Sequence, residues 1–170
     1  MTSGFALTYL ALQAHLQTNM PELVWIDQDL GQLETGYQRP AVSFPAVLID
    51  FDSVQYKNLS QWVQWVDFNI SIRLAFAPFD SANNHAPTAS KEHALEYYEI
   101  EERLYKALAG FTANDTIQPL VRVAAATERR EDTYRVRHII FTTASEDATA
   151  QLPINMTAAQ LQVASEINNL

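Results

Sequence analysis

Six apolar side chains at every second position, Val66, Phe68, Ile70, Ile72, Leu74 and Phe76, constrain this chain more than any other feature. Between them stand Asp67, Asn69, Ser71, Arg73 and Ala75. A helix would scatter the six around its circumference, whereas an extended strand puts them all on one face. The segment therefore predicts an antiparallel strand with one dry face and one wet face. Other parts of the chain must cover the dry one.

Two amphipathic helices offer that cover. Phe5, Tyr9, Leu12 and Leu16 recur at helical spacing after Thr2 or Ser3 as a cap, and Pro21 ends the run. A longer helix is expected from a Ser90 cap to about Leu108, closed by Gly110. Its stripe is Ala94, Tyr97, Ile100, Leu104 and Leu108, and Glu101 falls inside that arc. A carboxylate on an apolar stripe is either paired within the fold, with an arginine from the sheet as the expected partner, or faces a neighbouring subunit.

Further strands are expected at Leu23–Ile26 and Ala46–Asp52, with Pro45 marking an edge, a bulge or a strand start. Asp52–Ser60 reads as a turn or short excursion, and Pro78–Thr88 as a polar loop. Pro119–Thr127 and Thr133–Thr143 form a hairpin across the charged connection Glu128–Asp132. In its second strand Tyr134, Val136, His138 and Ile140 share one face, and Arg135, Arg137, Ile139 and Phe141 the other. Leu152-Pro153-Ile154 is extended, and Thr157 with Gln160 matches a capping box before Leu161, Val163, Ile167 and Leu170. So short a helix must dock on something. The expected fold is α+β, a mainly antiparallel sheet with two principal helices packed on one face. It comprises a domain at 1–145 and, at 146–170, a C-terminal arm with a short helix.

Composition removes whole classes of function. The 170 residues contain no cysteine, so disulfides and thiolate metal sites are excluded. No signal peptide or membrane span is read from the sequence. Net charge is −9, unevenly spread. Between positions 122 and 137 five arginines (Arg122, Arg129, Arg130, Arg135, Arg137) meet three carboxylates, which makes +2 and leaves −11 for the rest. An acidic body disfavours sequence-specific nucleic-acid binding. A basic hairpin on such a body suits contact between copies through opposite charges.

Chemistry is hard to find. His15, His85, His93 and His138 share no ligand spacing, so no metal is expected. There is no nucleophile elbow or phosphate loop, with only four glycines in all, and no catalytic residue or cofactor is expected. Two carboxylate pairs, Asp27/Asp29 and Asp50/Asp52, sit near strand ends, where metal-dependent enzymes place their ligands. Together with Tyr56, Trp62 and Trp65 as a stacking surface, they define the alternative reading: a small metal-dependent enzyme or ligand-binding domain.

The order of elements resembles the tail terminator (tail-completion) proteins of long-tailed bacteriophages. The likeness rests on the helix before the Val24-Trp25-Ile26 strand, the Arg39-Pro40-Ala41-Val42 lead into the next strand, and the Asn69-Ile70-Ser71-Ile72-Arg73 strand. The long helix ending in Ala107-Leu108-Ala109-Gly110 adds to it. The resemblance implies a homo-oligomeric ring, typically a hexamer, that caps the head-proximal end of the tail tube and joins it to the neck. Its implied partners are further copies, the tube protein and neck or connector proteins, in a virion assembled in the host cytoplasm. Another neck or head–tail connector subunit is the nearby alternative. The residues expected to meet other subunits are the five arginines and Leu152, Ile154, Leu161, Val163, Ile167 and Leu170 of the arm.

Overall fold

The computed structural model describes residues 3–34, 42–78 and 82–151. The elements run α1 (Gly4–Asn19), β1 (Trp25–Gln28), β2 (Ala46–Ser60), β3 (Val63–Phe76), α2 (Thr88–Leu108), β4 (Val121–Thr127) and β5 (Arg135–Asp147). The strands form one five-stranded sheet in the order β1-β2-β3-β5-β4. Only β1 is parallel to its neighbour, Trp25 pairing with Ala46. All other ladders are antiparallel. The fold is thus α+β, with a mixed sheet.

β3 is the centre of the molecule, and its even residues are the reason. Val66, Phe68, Ile70, Ile72, Leu74 and Phe76 are all buried in one cluster with Val47 and Ile49 of β2 and Ile139 and Phe141 of β5. Leu12 and Leu16 of α1 and Tyr97, Ile100, Leu104 and Leu108 of α2 close over that face. Burying a side chain of this size contributes about 1.5–3 kcal/mol, so the double helical layer follows from the strand.

Four expectations need correction. The odd face of β3 is not wet: Ser71 and Ala75 are buried, and the Arg73 side chain is 12% exposed. Leu33, Ala46, Leu48 and Val136 form a second small cluster there. Asp52–Ser60 is not a turn but the outer half of β2, paired with β3 as far as Ser60↔Val63. A bulge between Asp52 and Gln55, where Ser53 has φ 50°, interrupts the ladder and disguises the strand in the sequence. β1 starts at Trp25 rather than Leu23, and the Leu23 amide turns back to the Met20 carbonyl at 3.0 Å. α2 starts at Thr88, with Pro87 at the N-cap position, so Ser90 lies inside the helix. Gly110 does follow the helix end with φ 77°, a conformation that glycine adopts without steric cost.

Candidate assembly surfaces

The charged side chains sort into those the fold consumes and those it leaves outside. Arg73 projects from the odd face of β3 into a ring of acids: Asp29 at 3.1 Å, Glu34 at 3.0 Å and Glu128 at 2.6 Å. Burial opposes its charge, but the Glu128 hydrogen bonds and the Asp29 charge override that and hold its pKa above the ordinary value. Arg130 joins the cluster through Glu128 at 3.2 Å and Asp132 at 2.6 Å, and donates to the Leu33 carbonyl. Burial would raise the Glu128 carboxyl, yet Arg73 and Arg130 keep it below the usual carboxylate range. This cluster ties the β4–β5 connection to the segment after β1.

On the helical face Arg137 grips Glu101 with two bonds of 2.7 and 2.8 Å and donates to Thr127 Oγ1. The buried carboxylate of α2 has found its sheet arginine, as its place on the apolar stripe implied. Arg135 lies 3.7 Å over the Tyr97 ring, and Arg122 lies 3.7 Å over Tyr105. Burial, then the hydrogen bond that the Tyr97 hydroxyl donates to Tyr98, pushes that hydroxyl up to about 12.

The five arginines of the hairpin are therefore not one surface. Arg130 and Arg137 hold the fold together, Arg122 and Arg135 lie on tyrosines of α2, and Arg129 is exposed at the turn. Leu152, Ile154, Leu161, Val163, Ile167 and Leu170 lie outside the described residues.

The aspartate pairs do not converge. Asp29 is committed to Arg73 and accepts the Gly31 amide, Asp27 accepts the Gln28 amide, and Asp50 accepts the Phe51 amide. Among the described residues no three His, Asp or Glu side chains are grouped to hold a metal. Trp65 donates to Asp67, which also meets Lys57 at 2.6 Å. A groove of about 570 Å³ opens between the first turn of α1 and the ends of β3 and β5, walled by Phe5, Thr8, Val66, Phe68, Glu146 and Asp147. Its described lining carries the two carboxylates and no histidine, lysine or arginine. No described helix is long and apolar enough to cross a membrane.

Two apolar surfaces stand outside the core, and sequence reasoning had noted only aromatics of the second. β4 is exposed along its whole length, with Val121 57% and Val123 56% accessible. The β2–β3 hairpin tip presents Tyr56, Leu59 and Trp62, and Trp62 holds φ 66° at the turn. A non-glycine residue there is strained by about 1–2 kcal/mol. The signal for β4 was present in Val121-Arg122-Val123-Ala124-Ala125-Ala126, a strand too small-chained to have a core side. Tyr56 and Trp62 were noted in the sequence, but their place beside Leu59 at a hairpin tip was hidden because the outer half of β2 read as a turn.

No protein-family model matches the sequence, and no curated protein matches it. Among solved structures, the chain is similar to one from the virion of a native gene transfer agent (GTA) particle. The identity is 14%, the match covers 82% of this chain and 92% of that one, and the TM-score is 0.43. A likeness at that level defines no activity.

Proposed function

We propose that this chain is a ring-forming structural subunit of a phage-type virion, a tail terminator that caps the head-proximal end of the tail tube and joins it to the neck. The observation that carries the reading is β4, an edge strand of seven residues with every side chain exposed. Soluble monomers shield such edges with charge, proline or a covering loop, because free N–H and C=O groups recruit other strands. In β4 the only charge is Arg122, and that guanidinium lies on Tyr105. Exposed Leu59 and Trp62 at the hairpin tip point the same way, since an accessible tryptophan is a frequent interface anchor. The element order seen in the sequence adds the resemblance to tail terminators, from which come the hexamer, the tube and neck partners, and residence in the virion.

Native mass spectrometry of the full chain across a dilution series tests the ring. A discrete multimer, with six copies as the expected order, supports the reading. Adding the purified chain to tails that lack their terminator should then restore their joining to heads. A monomer at every concentration, with no joining activity, removes it.

A further inference from the structure

The backbone shows how copies would join, an inference that rests on the ring reading above. The Glu128 amide reaches the Val136 carbonyl at 3.0 Å, which fixes the phase of the β4–β5 ladder. Antiparallel ladders alternate inward and outward groups, so Ala125 and Thr127, paired with Ile139 and Arg137, turn their N–H and C=O outward. On the far side of the sheet β1 covers β2 only from Ala46 to Ile49. The Asp29 amide bonds the outward Ile49 carbonyl at 2.9 Å, and beyond it the outer half of β2 pairs only with β3 among the described residues. Carrying the alternation through the bulge turns Tyr56 and Asn58 outward.

Among the described residues, each copy thus carries two free strand edges on opposite sides of one sheet. Their charges differ in sign, since Lys57, the one cation in the outer half of β2, is paired with Asp67 at 2.6 Å. Arg122 and exposed Arg129 flank the β4 edge, while exposed Asp50 and half-buried Asp52 lie at the start of the free β2 edge. A two-fold β4–β4 pairing would instead set the Arg122 end of one copy against the Arg129 end of the other. The β1 part of the edge opposite β4 is poorly suited: β1 is four residues long, and its Ile26 carbonyl already accepts from Gln13 at 3.0 Å.

We infer that β4 of one copy adds to the outer half of β2 of a second copy, continuing the sheet from subunit to subunit. Such an interface is heterologous, so repeating it closes a ring or extends a filament, and every copy uses both edges once.

The test is Ala125→Pro in the full chain. The Ala125 N–H makes no bond to β5, so proline removes an outward donor from an edge strand that can hold it. Ala125→Lys is the second variant, placing a charge on the edge without touching the core. Both should melt close to the wild type yet stay monomeric at concentrations where the wild type is fully assembled. Mixed with wild type, each variant still offers an intact β2 edge, so native mass spectrometry should show short open species containing one variant chain. Assembly of both variants like the wild type overturns the inference and leaves the ring reading standing. Monomeric variants that never mix with wild type overturn it in favour of β4–β4 pairing. A monomeric wild type fails the ring reading itself.

Discussion

β3 and β4 belong to one sheet, one strand apart, and could hardly differ more. No residue of β3 is exposed, while every residue of β4 is. β3 takes helices on one face and an ionic cluster with a small apolar cluster on the other. β4 has β5 on one side and nothing described on the other. The contrast separates two kinds of apolar residue: those that define the fold, and those left over by it. Val121 and Val123 are conspicuous because the fold does not need them buried.

The largest effect expected from that contrast is in stability. Leu74→Ala, at a fully buried site on β3, should cost about 2–5 kcal/mol in urea unfolding of the isolated chain. Val123→Ala should change it by less than about 0.5 kcal/mol. Similar costs at both sites would mean that β4 is covered in solution, and the comparison would collapse.

Next comes Arg73, which makes the second face of β3 a structural one. Arg73→Met leaves Asp29 and Glu128 without their main counter-charge and should cost about 3 kcal/mol at neutral pH. The pH dependence sharpens this. The Glu128 carboxyl is held below its ordinary pKa, so its stabilisation is complete above about pH 4.5 and is lost as pH falls through the folded value. Wild-type stability should therefore drop on acidification below that point, and the Arg73→Met chain should lose less over the same range. Equal slopes would show that Arg73 does not hold Glu128.

What the sequence disclosed follows the same division. The alternation in β3 and the stripes of the two helices were legible because burial imposes a period on residue type. Glu101 was legible as a misfit on its stripe, and the sheet arginine it required is Arg137, 36 positions away. The ionic cluster of Arg73, Asp29, Glu34, Glu128 and Arg130 was not legible. Its members come from three separate segments, and Arg73 looks like any solvent-facing residue of an alternating strand. Likewise the run of arginines suggested one basic surface, yet register and side-chain length send Arg137 to α2 and Arg130 to the Leu33 carbonyl. The outer half of β2 was lost to a bulge, since one inserted residue reverses the faces that a period-two reading depends on.

A smaller effect than that of Leu74 or Arg73 is expected at Trp62, and it has the opposite sign. Its φ of 66° is a left-handed conformation that asparagine tolerates far better than tryptophan. With 66% of its surface exposed, the ring returns little burial to the isolated chain. Trp62→Asn should therefore raise the stability of the isolated chain by about 0.5–1 kcal/mol, read as a higher urea midpoint at unchanged slope. A strained residue that a simple substitution would relieve suggests a second use, and the exposed ring beside Leu59 and Tyr56 suits an anchor in a partner. The same variant should then assemble or join less well although its own fold is firmer. Stabilisation without any loss of assembly would return Trp62 to the ordinary surface. A loss of stability would show that the hairpin tip packs within its own chain, placing it with β3 rather than with β4.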